Sequence, residues 1–167
     1  MFLKLSIIYF SKNGHTKEMA EVIANGMKSV QGIEVGIFDL EHVDDEFLAE
    51  SKAVVFGTPT YYANTCWQIK KWFDESRNYK LEGKIGAVFA TADYAQGGAD
   101  TAILTIINHL MVKGMLVYSG GSALGHPYIH LGAVALKENF EQSKPMFEVF
   151  GKRIATKAIE LFASETV

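Results

Sequence analysis

The sequence predicts an α/β fold in which a doubly wound parallel sheet of five strands lies between two layers of helices. Apolar runs alternate with amphipathic helical patterns along the chain, which is typical of a parallel sheet covered on both faces. The run at 53–57, Ala-Val-Val-Phe-Gly, is apolar throughout, as expected of a strand buried on both sides. Right-handed crossovers make such a sheet doubly wound, and its ligands bind beyond the carboxyl ends of the strands. The 167 residues suit one domain, 1–167.

The first half of the chain supplies three strands, expected at 5–10, 33–40 and 53–57. Apolar residues at three- and four-residue spacing predict a helix between the first two strands, and Gln31-Gly32 ends it. The acidic segment Asp44-Asp45-Glu46 favours the start of a short helix, because carboxylates suit the positive end of the helix dipole.

The second half supplies two more strands, expected at 85–90 and 115–118. One helix, marked by Trp67, precedes the first of them, and a second helix that ends at Gly114 lies between the two. The segment 119–143 carries Gly and Pro turn signals and no predicted element. Pro145 favours the start of the last helix, which runs to Phe162.

The stretch Ser11-Lys12-Asn13-Gly14-His15-Thr16 forms the turn between the first strand and the first helix. Backbone N–H groups and the helix dipole together make such a turn an anion site, and Gly14 allows a tight turn. The alternative is an ordinary turn that only starts the helix. The loops at 58–65 and 91–98 follow the third and fourth strands, so we expect all three segments to meet at one sheet edge.

Composition excludes several classes of function. A net charge of −3 without a Lys/Arg-rich tract argues against a nucleic-acid surface. No apolar run reaches spanning length and the first run reads as a strand, so we expect no membrane insertion and a cytoplasmic protein. Cys66 is the single cysteine, which fits a reducing compartment. His126 and His130 have metal-ligand spacing, but nothing around them predicts a helix or an acidic cluster, so no metal is predicted.

The three segments resemble the flavodoxin-like FMN proteins, and among them the WrbA-like NAD(P)H:quinone oxidoreductases and NADPH-dependent FMN reductases. The motifs that carry the resemblance are Tyr-Phe-Ser-Lys-Asn-Gly-His-Thr at 9–16, Phe-Gly-Thr-Pro-Thr-Tyr-Tyr-Ala-Asn at 56–64, and the 91–98 loop. The resemblance implies a flavodoxin-like sheet of order 2-1-3-4-5 with FMN as the cofactor. Asp93 and Tyr94 depart from the glycine-rich loop of the oxidoreductases and are similar to an electron-carrier flavodoxin.

The resemblance also implies the binding residues. The phosphate of FMN would lie on the 11–16 turn, where Lys12 either adds charge or is simply solvated, and the ring would lie between the other two loops. The expected cofactor-binding residues are Ser11, Lys12, Asn13, Gly14, His15, Thr16, Pro59, Thr60, Tyr61, Tyr62, Asn64, Thr91, Ala92, Asp93, Tyr94 and Gly97.

We expect an FMN enzyme that passes electrons from NAD(P)H as co-substrate to a quinone or similar acceptor, with His126 as a candidate proton donor. The alternative is a flavodoxin that carries single electrons between protein partners. Such a carrier benefits from negative charge near the ring, and Asp93 alone supplies it here, which favours the enzyme. A regulatory domain of the response-regulator type shares the topology but needs paired acids where this chain has Phe10-Ser11. By analogy we expect a homodimer or homotetramer.

Overall fold

A computed structural model describes residues 2–163. The strands are β1 (Leu3–Tyr9), β2 (Ile33–Asp39), β3 (Ala53–Tyr61), β4 (Asn64–Thr65), β5 (Ile85–Ala92), β6 (Leu116–Val117) and β7 (Ala133–Leu136). The helices are α1 (His15–Lys28), α2 (Asp45–Glu50), α3 (Trp67–Glu75), α4 (Ala99–Val112) and α5 (Phe140–Phe162). None of these helices is both long and apolar enough to cross a membrane.

The strands form one sheet in the order β2-β1-β3-β5-β6, with β4 paired to β3 and β7 paired to β5. All pairings are parallel except that of β3 with β4. Residues of α1 and α5 pack on one face of the sheet, and residues of α2, α3 and α4 pack on the other. The predicted three-layer α/β fold is therefore confirmed, and so is the strand order, since β5 is the fourth predicted strand.

Two short strands, β6 and β7, occupy the position beside β5 where the sequence predicts a single fifth strand. β6 pairs with β5 at Ile85 and Gly86, whereas β7 pairs with its other end from Phe89 to Ala92. The intervening segment, 118–132, leaves the sheet. The sequence did not predict β7, because its four residues lie among turn signals and gain their strand conformation from pairing with β5.

Two further boundaries differ from the predictions. β3 continues past residue 57 to Tyr61 and turns back into β4, so the predicted loop at 58–65 is largely a hairpin. α5 begins at Phe140, so Pro145 lies inside the helix and does not start it. The earlier start is stabilised by tertiary packing, since the ring of Phe140 lies 5.0 Å from that of His15. At α2 the prediction is confirmed, because the side chain of Asp44 accepts a hydrogen bond from the Phe47 N–H at 2.9 Å.

Candidate functional site

A cavity of about 380 Å³ opens at the carboxyl edge of β1, β3 and β5. The three segments expected to meet there all contribute to its wall, as the parallel register of these strands requires. The lining residues are Ser11, Lys12, Asn13, His15, Thr16, Pro59, Thr60, Tyr61, Tyr62, Ala63, Thr91, Ala92, Asp93, Tyr94, Gly97, Ala135, Lys137 and Phe140.

The turn at 11–16 presents free backbone donors to this cavity. Gly14 has a φ of 95°, and its N–H donates to Ser11 Oγ at 3.1 Å. The first intrahelical bond runs from the Glu18 N–H to the Gly14 carbonyl at 2.9 Å, and no side chain caps α1. Within residues 2–163, the N–H groups of 11, 12, 13, 15 and 16 donate to no acceptor. Uncapped donors at a helix N-terminus are the components of an anion site.

A buried hydrogen bond joins this turn to the 91–98 loop. Thr16 Oγ1 and Thr91 Oγ1 lie 2.9 Å apart, and both residues are buried. The bond links the first turn of α1 to the end of β5 across the carboxyl edge of the sheet. It therefore fixes the turn relative to the opposite wall of the cavity.

The hairpin formed by β3 and β4 supplies another wall, and it is held by its own contacts. Its tip residues Tyr62 and Ala63 have positive φ angles of 48° and 60°. Asn64 Oδ1 accepts hydrogen bonds from the Thr65 N–H at 2.8 Å and from Thr105 Oγ1 at 2.7 Å. Asn64 does not line the 380 Å³ cavity but a separate depression beside α3 and α4. Asn64 was expected to bind the cofactor, but it lies outside the cavity and its hydrogen bonds anchor the hairpin.

Aromatic and polar side chains line the cavity beyond the turn. Tyr61 is 38% exposed and Tyr94 is 67% exposed, whereas Tyr62 at the hairpin tip is 105% exposed. Burial raises the pKa of the Tyr61 hydroxyl, and the negative charge of Asp93, together with that of Cys66 once its thiol ionises, raises this pKa further. Thr60 Oγ1 is buried and has no hydrogen-bond partner among the described residues. This hydroxyl is thus available to a bound molecule.

Four lining residues were absent from the prediction: Ala63, Ala135, Lys137 and Phe140. The last three belong to β7, to the short 3₁₀ helix Lys137–Asn139 and to the start of α5. They reach the cavity because β7 pairs with the end of β5, a long-range contact without a local sequence signal. In the sequence, β7 is marked only by the apolar run at 133–136. In the structure these residues alternate between buried and half-buried positions.

Gly14, His126 and Cys66, which the sequence analysis singled out, are not among the residues that line the cavity. Gly14 belongs to the turn but does not itself line the cavity, and neither does His126, whose ring lies 5.8 Å from that of Tyr128. Burial raises the pKa of the Cys66 thiol, which disfavours the reactive thiolate even though Cys66 stands at the N-terminus of α3. Residues 2–163 contain no group of three or more His, Cys, Asp or Glu side chains placed to hold a metal ion.

The family described as Flavodoxin matches residues 7–121 of the chain. The chain belongs to the flavodoxin family. A flavodoxin of Clostridium saccharobutylicum is 52% identical over 160 residues, which cover 96% of this chain and 100% of that protein. An NAD(P)H dehydrogenase (quinone) of Aromatoleum aromaticum is 31% identical over 164 residues, which cover 81% of this chain and 76% of that protein.

Two solved structures are similar to this flavodoxin over nearly its whole length. A flavodoxin from the domain Archaea has a TM-score of 0.77 at 27% identity and covers 93% of this chain and 99% of that chain. A Fusobacterium nucleatum flavodoxin bound to flavin mononucleotide has a TM-score of 0.68 at 16% identity and covers 96% and 98% of the two chains. At that identity the second similarity shows the fold alone.

These similarities correct the expected activity. The chain is much more similar to a flavodoxin than to a quinone dehydrogenase, in identity and in the share of the relative that is matched. The prediction of a WrbA-like NAD(P)H:quinone oxidoreductase is therefore wrong, and NAD(P)H and quinone lose their support as substrates. The role of His126 as a proton donor depended on that enzyme and is dropped with it. The scarcity of acidic residues in the predicted loops favoured the enzyme. Similarity to a flavodoxin along the whole chain is stronger evidence than the composition of one loop.

Proposed function

We propose that this flavodoxin binds FMN in the 380 Å³ cavity and carries single electrons between protein partners. The observation that carries the proposal is the cavity itself. The uncapped N-terminus of α1 lies at the same cavity as two tyrosines from different loops and a threonine hydroxyl that has no partner among the described residues. The name of the Clostridium relative, matched along its whole length, supports the same conclusion.

The phosphate end of FMN fits the 11–16 turn. The N–H groups of this turn lack acceptors among residues 2–163, and the dipole of α1 adds partial positive charge at the same helix end. Lys12 and Asn13 line the cavity beside them, so that an ammonium and an amide group are also available to a phosphate. We propose that Ser11, Asn13, His15 and Thr16 hold the phosphate together with these backbone groups.

The ring and sugar-alcohol end of FMN fits the opposite wall. Thr60 Oγ1 is a buried hydroxyl that lacks a partner within the described chain, and a ribityl hydroxyl would satisfy it. Tyr61 and Tyr94 offer aromatic faces, which suit packing against a flat conjugated ring. Asp93 supplies one carboxylate near the ring. Pro59, Tyr62, Thr91, Ala92 and Gly97 complete this part of the proposed site.

Electron carriage follows from what this chain offers around the cofactor. When bound, FMN supplies a ring that accepts and releases electrons one at a time, so the protein's task is to bind and orient it. Tyr61 and Tyr94, which line the cavity, would pack against the ring and hinder the approach of a nicotinamide. Assembly into a homodimer or homotetramer stays a prediction, as do the cytoplasmic location and the single domain.

The test begins with the purified protein and added FMN. We expect tight binding, seen as quenched flavin fluorescence, and a redox titration that resolves two separate one-electron potentials. Mixing the FMN-loaded protein with NADH or NADPH and benzoquinone should give no oxidation above that of free FMN. Absence of FMN binding would overturn the binding proposal. Rapid NAD(P)H oxidation with a single two-electron potential would overturn the carrier proposal while leaving FMN binding intact.

A further inference from the structure

Lys137 is a cavity residue with no partner inside the described part of the protein. It begins the 3₁₀ helix Lys137–Asn139 between β7 and α5, it is exposed, and its side chain forms no ion pair or hydrogen bond with residues 2–163. Lys12 on the facing turn is likewise exposed and unpaired within those residues. Among the described residues Asp93 is the one carboxylate in the lining, so their charged side chains give the cavity a positive balance. That balance favours an anionic ligand.

The packing of α5 brings Lys137 toward the 11–16 turn. Phe140, three residues after Lys137, packs its ring at 5.0 Å from that of His15 in the turn. One helical turn later, Lys144 Nζ donates to Glu18 Oε1 at 2.5 Å, which ties α5 to the first turn of α1. The segment that carries Lys137 is thus held against the N-terminus of α1, although more than a hundred residues separate them in sequence.

The same contact partly offsets an opposing charge. Glu18 lies in the first turn of α1, where an unpaired carboxylate would repel a bound anion. Lys144 pairs with both Glu18 and Glu141, with Nζ–Oε distances of 2.5 and 2.8 Å. Lys144 therefore offsets part of the negative charge of the acid nearest the turn along α1, and it is not one of the lysines that line the cavity.

We propose that Lys137, acting with Lys12, contributes its positive charge to the binding of the cofactor phosphate and so favours FMN over riboflavin. The proposal rests on the proposed function, because it assigns a further residue to that same cavity. Lys137 is a specificity-determining residue here, not a residue of the electron transfer. Its contribution is electrostatic and partly screened, so it adds to the backbone donors of the turn without replacing them.

The experiment compares dissociation constants for FMN and riboflavin, measured by flavin fluorescence quenching, in the wild type and in K137Q, K137R and K152Q. Lys152 is an exposed lysine on α5, away from the cavity lining, so K152Q makes the same change of charge outside the cavity. We expect K137Q to weaken FMN binding about two- to fivefold, the range of an exposed ion pair, with riboflavin unchanged. K137R and K152Q should behave as the wild type.

Two further readouts separate charge from structure. The difference between wild type and K137Q should shrink between about 0.05 and 0.5 M salt, because screening removes an exposed electrostatic contribution. In phosphorus NMR of the FMN complex, K137Q should raise the second pKa of the bound phosphate, since a nearby cation favours the dianion.

The outcomes are distinguishable. A wild type without affinity for FMN overturns the proposed function. A wild type that prefers FMN, with K137Q equal to K152Q, overturns the role of Lys137 alone. Equal losses of FMN and riboflavin in K137Q also overturn it, because the residue would then act on the ring or the sugar-alcohol chain.

Discussion

The 11–16 turn and the hairpin tip at 60–65 are both polar segments at the same sheet edge, but their hydrogen bonds go to different places. Five backbone N–H groups of the turn, all except that of Gly14, have no acceptor within residues 2–163. In the hairpin, Asn64 Oδ1 accepts two hydrogen bonds, one from within the hairpin and one from α4. The turn is open to a ligand, whereas the hairpin is a wall fixed by the protein. Polar composition alone does not separate these two roles.

The glycines beside the two segments show the same difference. Gly14 has a φ of 95° and nothing within 4 Å of a Cβ built on it. Gly98 has a φ of 91°, but a Cβ built there would lie 2.5 Å from Ala63 Cα. The backbone of the hairpin tip therefore rests directly on Gly98, whereas Gly14 faces open space.

The largest effect is expected for Gly98→Ala. The substitution combines a positive φ with a backbone clash against the hairpin, so we expect a loss of about 3 kcal/mol in the free energy of unfolding, measured by urea denaturation. Gly14→Ala is the matched control, with a similar φ and no clash, and should cost about 1 kcal/mol. Equal losses in the two variants would contradict a hairpin that rests on Gly98.

Thr58→Val tests the base of the hairpin. Thr58 Oγ1 lies 2.9 Å from Thr65 Oγ1 and accepts a hydrogen bond from the Cys66 N–H at 3.4 Å. It therefore joins β3 to the end of the hairpin that it forms with β4. Removing this buried hydroxyl leaves its partners unsatisfied and should cost about 1–2 kcal/mol of stability.

Thermal or urea unfolding measures the loss in Thr58→Val. Thr101→Val, at an exposed position of α4, is the control and should be nearly neutral. A neutral Thr58→Val would show that the hairpin does not depend on this hydroxyl.

Asn13→Ala tests the turn through its ligand. Asn13 lines the cavity beside the free N–H groups, so its loss should weaken FMN binding about two- to tenfold and leave riboflavin binding unchanged. Thr16→Ala should also act more on FMN, with an added loss of stability because its hydroxyl bonds to Thr91. Fluorescence quenching gives both affinities.

The hairpin again supplies the control for Asn13→Ala. Asn64→Ala removes two hydrogen bonds outside the cavity and should not change the preference for FMN over riboflavin. If Asn13→Ala weakens both flavins equally, the phosphate does not bind at the turn.

The smallest effect concerns pH. The pKa of Tyr61 is raised above its ordinary value of 10.0, first by burial and then by neighbouring negative charge. Below that value the hydroxyl is protonated in both states and contributes nothing to the pH dependence. As the pH rises past it, the unfolded chain ionises first, so folding loses free energy. In Tyr61→Phe we expect a slightly shallower alkaline fall in stability, measured by urea unfolding at neutral pH and above pH 10; an unchanged fall would contradict the burial of this hydroxyl.

Much of the fold could be predicted because its signals are local. The apolar run at 53–57, the helical spacing after Thr16 and the acidic start of α2 each indicate an element whose conformation depends on nearby residues. Strand order then followed from the resemblance, and the meeting of three segments followed from the geometry of parallel sheets. The choice between enzyme and carrier did not follow, because no single loop decides it.

By itself, the sequence determined the layered α/β fold and the meeting of the 11–16 turn with the segments after β3 and β5 at its carboxyl edge. Tertiary structure alone decided that β7 replaces half of the fifth strand, that Asn64 bonds to Thr105 outside the cavity, and that Lys137 faces the cavity. The physical reason is range: periodicity and capping act within a few residues, whereas these three features depend on pairing and packing between segments far apart in the chain.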